Sequence, residues 1–500
     1  MNKPESEGTL RKRLNPFNVW AVAFGCIIGW GAFINPGKKF LSNSGVAGTA
    51  IAMVIGALIM IVIAFSYAYM VPKYPKAGGE FYFTKACFGN YYAFFCGWFL
   101  LAAYLTNVPM NSTAIGLIVD GLFGPILKWG FHYSVAGFDI YFGELLLAVT
   151  ILILFGFMNI RGVKVAGFVQ TILTAGLIIS VVVLTIAALV SPHTNIEKLD
   201  PIWGFDKISA VQACQAGSYT SIEPYAHRGA NSIAVSILST LAIAPWAFVG
   251  FDTIPQVSEE FKFSYRKVSG IMILAIMFGC FVYVANNTIT AAALSNWPEL
   301  IVNSEGTPWL LLAAAERLLG SFGKILVGIA VFCAVLSGIM GFYVASSRLM
   351  YAMAREGFLP RSFGEVDQRY GTPKRALLFC MLISMAGPIL GREALGWFLD
   401  MSAIGASIGF GFTCLSTIKT MKRDEDGTTF LDVMSRLGAI FSLLFIILQI
   451  MPIPGLEGVH FCRESYVLLV VWVALGALFF FSRFHKLRGK KDTEGKCYEQ

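Results

Sequence analysis

The sequence predicts an all-α integral membrane protein with twelve transmembrane helices, and three observations carry that prediction. Hydrophobic residues make up 56% of the chain and charged residues only 14%, against roughly 25% charged in a soluble domain; the mean hydropathy is +0.67. Twelve apolar stretches are each long enough for a crossing, which takes about 20 residues. Two of them, the first and the sixth, are interrupted by Gly, Pro and polar residues at bilayer depth.

In order, the spans fall near 18–42, 46–71, 88–120, 142–159, 163–190, 237–260, 267–294, 322–354, 374–391, 397–419, 434–452 and 464–484. The third and eighth exceed one bilayer thickness, which predicts tilt or protrusion. An even number of crossings puts both termini on one side. Of the 38 Lys and Arg residues, 27 fall on the side of the termini and 10 on the other, with Arg348 inside the eighth span. The positive-inside rule makes both termini cytoplasmic and the protein multi-pass in the cytoplasmic (plasma) membrane. The net charge of +8 follows mostly from this bias and gives no argument for nucleic acid. The tail MNKPESEGTLRKRLNPFN shows no signal-peptide cleavage pattern, so the first span reads as a retained helix.

The ten cysteines form no C-x-x-C pair, and no disulfide framework is expected. The five histidines (His132, His193, His227, His460 and His485) show no metal-ligand spacing, so neither a metal nor a cofactor is expected.

The first interruption is GCIIGWGAFINPG, residues 25–37, and the second lies in APWAFVGFDTIPQVSEEFK, residues 244–262. In hydrocarbon every N–H and C=O freed by a broken helix needs another partner. Each break carries a helix-restart signal, Asn35 before Pro36 and Asp252 three residues before Pro255. Because the broken spans are the first and sixth of twelve, each opens a block of five. Interrupted helices at corresponding positions of two halves point to an inverted-repeat transporter with its binding site at the breaks. The bland alternative is a pair of ordinary proline kinks. The expected division is a cytoplasmic tail over 1–17, a first repeat over 18–190 with helices one to five, and an extracellular loop over 191–236. A second repeat over 237–419 with helices six to ten, two further helices within 434–484 and a cytoplasmic tail over 485–500 complete it.

These residues resemble the amino acid–polyamine–organocation transporter superfamily, in its amino acid permease family. IIGWGAFINPG is similar to the family's Gly-x-Gly first-helix pattern, YPKAGGEFYFTKACFG (74–89) to its segment after helix two, and FVGFDTIPQVSEEFK with Arg266, Val268, Gly270 and Ile271 to its sixth-helix signature. ASSRLMYAMAREGFLPRSFGEVDQRYGTP (345–373) resembles the end of helix eight and its loop. The order is right over most of residues 15–420. Trp30 stands where the family usually has a small residue, and Phe263, Ser264 and Ser269 where it often has Asn, Pro and Pro.

The resemblance implies a LeuT-like 5+5 fold, broken helices one and six, two extra C-terminal helices, and an amino acid or related amine held between the breaks. Its carboxylate would meet freed N–H groups at Trp30, Gly31 and Ala32, close to Gly29. Its ammonium would meet freed carbonyls at Ile27, Trp246 and Val249, close to Gly250. Half-helix ends carry the partial charges this needs. Trp246, Phe248 and Phe251 are candidate walls, with Trp246 also a lid, and Asp252 is a candidate by its depth. Asn107 and Asn111, four apart on one helical face, are expected to line the pocket or to tie helices together, with Asn286 and Asn287 a weaker case. Glu259, Glu260 and Arg266 are candidate inner-gate residues. The fifth span holds no Lys, and Leu177 sits where some family members have one, which argues against lysine-based proton coupling. Ser337, Ser346 and Ser347 form a candidate sodium site; the coupling ion is therefore H+ or Na+, and the remaining partner is the lipid bilayer. The rival readings are a polyamine or organocation carrier and a non-transporting nutrient sensor. An enzyme is disfavoured because no nucleophile–base pair, metal cluster or P-loop lies within the spans.

Overall fold

The computed structural model describes residues 10, 12–197, 199–303, 309–453 and 459–488, so most of the two expected cytoplasmic tails lies outside the described residues. The chain opens on α1 (Pro16–Ile27), whose start combines a first-turn proline with Asn15, which accepts the Asn18 N–H at 2.8 Å. After a break come α2 (Gly31–Asn35), a π-helical turn over Pro36–Phe40 and α3 (Leu41–Lys73), the last kinked at Gly45. Next come the short α4 (Glu80–Phe88) and the long α5 (Asn90–Phe123). A hairpin follows, β1 (His132–Val135) against β2 (Phe138–Tyr141), with His132 opposite Tyr141. Its two-residue turn holds Ala136 and Gly137, both at positive φ as tight hairpins need.

Beyond it lie α6 (Phe142–Ile160), α7 (Val163–Val190), α8 (Lys207–Gln215), α9 (Ala230–Leu241), α10 (Ala244–Ala247), α11 (Thr253–Gln256) and α12 (Val268–Ala293). The rest are α13 (Trp297–Val302), α14 (Leu310–Leu319), α15 (Ser321–Arg355), α16 (Lys374–Ser384), α17 (Ala394–Asp424), α18 (Thr429–Ile450) and α19 (Arg463–Arg488).

The protein is predominantly helical and multi-pass: nine helices among the described residues are long and apolar enough to cross a membrane. The first, sixth and ninth apolar stretches fall short of that length because each is built from shorter pieces. The all-α expectation needs one amendment, the hairpin over 132–141, which lies between two spans where the sequence reading had only loop. The sixth stretch begins its helix at Ala230, inside the segment read as extracellular loop, and the ninth gives up α-helix at Ser384.

Burial separates scaffold from rim. The apolar window of α5 is 89% buried, that of α17 78% and that of α15 72%, against 28% for α18 and 11% for α19. The first three therefore form the centre against which both breaks pack, and the last two face outward. At 34 residues, α5 runs about 51 Å at 1.5 Å per residue, longer than a bilayer core, as its apolar length predicts.

Candidate functional site at two helix breaks

Ile28 leaves helical geometry at φ −97°, ψ 96° and ends α1, and the helix resumes at Gly31, four residues before the expected restart at Asn35. Pro36 instead opens the π turn, where its missing N–H removes a rung of the ladder. Among the described residues, the N–H groups of Gly29, Trp30 and Gly31 make no hydrogen bond within the protein, while that of Ala32 reaches the Gly29 carbonyl at 3.4 Å. Of the amides expected to be free, Trp30 and Gly31 are; Ala32 is not.

In the sixth stretch the helix stops at Ala247 and resumes at Thr253. Gly250 takes φ +144°, and a β-carbon there would stand 2.6 Å from the Ile27 nitrogen, so the two breaks touch backbone to backbone. Of the three carbonyls expected to be free, Trp246 accepts the Val249 N–H at 3.2 Å and Ile27 accepts the Tyr283 hydroxyl at 3.3 Å. The Val249 carbonyl accepts none among the described residues.

The two tryptophans meet here, ring centroids 6.1 Å apart at 51°, and the Trp246 ring lies against Gly31. Four side-chain atoms around the first break are buried without a hydrogen bond: Trp30 Nε1, Asn35 Nδ2, Asn111 Oδ1 and Asn286 Oδ1. Asn286 is anchored by its other end, Nδ2 donating to the Ala32 carbonyl at 2.9 Å. Asn111 sits beside Gly29, its Oδ1 3.1 Å from where a β-carbon would be. Asn107 is spent elsewhere, donating to Ala103 O at 2.7 Å and to Ser402 of α17 at 2.6 Å. Asn287 bonds the Gly45 carbonyl at 3.1 Å.

Phe248 packs edge-on against Tyr283 and Phe251 stacks on Phe410, so both rings bind the sixth stretch to its neighbours. Asp252 is fully buried. It turns backward, Oδ1 accepting the Gly250 N–H at 2.7 Å, and Oδ2 accepts the Tyr104 hydroxyl at 3.0 Å. The expected cap on the restarting helix is absent: no side-chain bond caps α11.

On the side assigned to the cytoplasm, Glu260 is paired with Arg348 at 2.9 Å, both side chains at most 1% exposed. The guanidinium also donates to Ser347 at 3.0 Å. The N–H groups of Arg13 and Leu14 both donate to the Glu260 carbonyl at 2.9 Å, laying the chain before α1 across this point. Glu259 accepts the Ala77 N–H at 3.1 Å, and Arg266 lies apart, exposed. Nearby, Lys85 bonds Glu356, just beyond α15. Burial tends to raise the Glu356 carboxyl, but the hydrogen bond and charge of Lys85 outweigh it and hold the group below its ordinary value.

The three serines are not brought together. Ser337 donates to Ala334 and Gly25 carbonyls beside the first break, while Ser346 and Ser347 bond back onto α15 nine and ten residues on. Leu177 is fully buried, and the fifth stretch reaches α1 through Gln170 and Thr174, which both donate to the Ala21 carbonyl. Sequence reasoning missed Tyr104, Gln256, Glu80 and the choice of Arg348 as partner; the isolated Arg inside an apolar span was the one available signal.

Residues 14–488 match the family model described as amino acid permease. The large neutral amino acids transporter small subunit 2 of Oryctolagus cuniculus is 28% identical over 382 residues, covering 75% of this chain and 64% of that protein, so the chain spans under two thirds of the relative's length. The branched-chain amino acid permease BcaP of Bacillus subtilis (strain 168) is 23% identical, covering 96% of this chain and 95% of its own. The methylthioribose transporter of the same organism is 22% identical, covering 96% of each. With the family model matched almost end to end, this chain belongs to the amino acid permease family.

Proposed function

We propose that this protein is a secondary transporter that carries a neutral amino acid across the plasma membrane by alternating access, binding it between the two breaks. The observation that carries the reading is the set of unpaired polar groups at the first break. The N–H groups of Gly29, Trp30 and Gly31 suit a carboxylate, and the orphaned Asn111 and Asn286 oxygens with the Val249 carbonyl suit an ammonium. Trp30 and Trp246 offer apolar walls for a side chain. Relatives named for large neutral and branched-chain amino acids support this substrate class. A polyamine would need a second acid, and Asp252 is already engaged by Gly250 and Tyr104.

On this reading the nine long helices and the three divided stretches make twelve crossings in two inverted repeats of five, with both termini cytoplasmic, as the Lys and Arg bias supports. Trp246 closes the site on the outer side. Inside, the Glu260–Arg348 pair and the chain before α1 seal the mouth, and the pair must part when the site opens inward. Of the coupling ions, H+ is favoured over Na+, because Ser347 already accepts from a guanidinium and stands away from Ser337.

Counterflow of labelled L-leucine into proteoliposomes preloaded with unlabelled neutral, basic or acidic amino acids, or polyamines, tests the reading. Neutral amino acids should drive uptake. Uptake driven only by polyamines would overturn the substrate class, and specific binding without any counterflow would make the protein a sensor.

A further inference from the structure

A second carboxyl is buried in the same hydrogen-bond network as Asp252. Glu80 opens α4 and is fully buried. Its Oε1 accepts the Tyr67 hydroxyl at 2.8 Å and its Oε2 accepts Gln256 Nε2 at 2.6 Å. The same Nε2 lies 3.5 Å from the Tyr104 hydroxyl, which donates to Asp252. The groups facing the two acids come from every element around them: Tyr67 on α3, Tyr104 and Cys96 on α5, Cys26 on α1 and Gln256 on α11. Among the described residues no Lys, Arg or His bonds either carboxyl; the adjacent buried cation, Arg348, is committed to Glu260.

Two carboxylates in one low-dielectric network without a cation cannot both remain ionised. A second observation bears on how Gln256 would respond to a proton on Glu80. Gln256 Oε1 is buried with no hydrogen-bond partner, while its amide nitrogen serves Glu80. Turning that amide over would bring Oε1 to Glu80, and the new contact is a hydrogen bond only when Glu80 carries a proton. The bridge therefore has two arrangements that differ by one proton, and the observed one leaves Gln256 Oε1 without a partner.

We propose that Glu80 and Asp252 form a shared proton-binding site, linked through Gln256 and Tyr104, which keeps one proton in this closed state and gives it up during transport. Asp252 meets the proton at the break, and Glu80 meets it from the segment at the cytoplasmic mouth, beside Ala77 and Glu259. The bond account is one O–H bond: it forms on a carboxylate oxygen as hydronium on one side gives up a proton and leaves water, and it breaks as that proton passes to water on the other side. The proposal rests on the transport reading above and deepens it by assigning the coupling ion.

Two measurements test it. Infrared spectra of the purified protein near pH 7 should show a buried carboxylic acid band that is lost in both Glu80→Gln and Asp252→Asn, because removing either charge lets the other acid ionise. A wild-type spectrum without that band, or an unchanged band in either variant, overturns the proposal, whatever the substrate. In proteoliposomes, an inward proton gradient should accelerate L-leucine uptake by wild type and not by Glu80→Gln, while counterflow, which moves no net proton, continues. Wild-type counterflow with no response to the gradient sinks the proton site and leaves the transporter reading standing; no counterflow of any amino acid sinks the transporter reading itself.

Discussion

The indole of Trp246 lies across the α-carbon of Gly31: a β-carbon built on Gly31 would stand 2.3 Å from the ring's Cη2 atom. The residue that starts the second half of the first stretch and the tryptophan before the break in the sixth are thus fitted to one another. Any side chain added at Gly31 must move the indole.

Gly31→Ala should therefore displace the indole and weaken substrate binding by about 10-fold or more, since a misplacement of about 1 Å is felt strongly at such a site. Gly31→Leu should abolish binding while the protein still inserts and purifies as a folded species. Equilibrium binding on the purified variants checks this, and parental affinity in a folded Gly31→Leu would remove the carboxylate site from the first break.

Trp246→Ala removes the lid without touching the freed N–H groups. Uptake should drop severely because the loaded site can no longer be closed on the outer side, and release of prebound substrate to the outside should quicken. Transport at the parental rate would make the ring a packing residue.

Gly250 is where the two breaks meet backbone to backbone, at φ +144° and with any added β-carbon 2.6 Å from the Ile27 nitrogen. Gly250→Ala combines backbone strain with a backbone clash, and a loss of about 2 kcal/mol or more is expected. Thermal unfolding in detergent reads the stability, and counterflow should be lost in parallel.

Arg348 and Glu260 are both buried, so removing one leaves an unpaired charge out of reach of water. Arg348→Met should destabilise by about 3–5 kcal/mol, whereas the double variant Arg348→Met with Glu260→Leu should recover most of that loss. Unfolding midpoints of the three proteins decide the matter. If the single and double variants fall equally, the ion pair contributes through its shape alone.

At the rim, the Glu356 carboxyl is held below its ordinary value, after burial is outweighed by Lys85. A depressed folded-state value means the contribution is present at neutral pH and fades as pH falls through the ordinary glutamate range and below it. For a partly exposed pair it amounts to about 1 kcal/mol or less. The melting difference between wild type and Glu356→Gln should accordingly close on acidification; a gap that widens in acid would have the wrong sign.

What was legible in the sequence is what depends on local composition. Length and apolarity marked the nine long helices, Gly and Pro marked the two interrupted stretches, and motifs in order marked the family. Windows of about 20 residues carry that information, because helix formation in hydrocarbon is a local accounting of backbone hydrogen bonds. The restart at Asn35 failed because Pro36 was read as a first-turn proline, when α2 had already begun at Gly31 and the ring is absorbed in a π turn.

Which polar groups stay free was decided only by the fold. Ile27 and Trp246 carbonyls looked equivalent to Val249 in the sequence, yet Tyr283 and the turn at Val249 satisfy them. Asn107 and Asn111 share a helical face, but Ser402 claims the first and Gly29 stands beside the second. Glu80 and Asp252 lie 172 residues apart in the sequence and share one network through Tyr104 and Gln256. The sequence by itself determined a many-helix membrane permease with two broken stretches, because apolar length and helix breakers act within a few residues. The tertiary structure alone decided the partners of each buried polar group, because a hydrogen bond depends on a few ångströms between elements that can lie hundreds of residues apart.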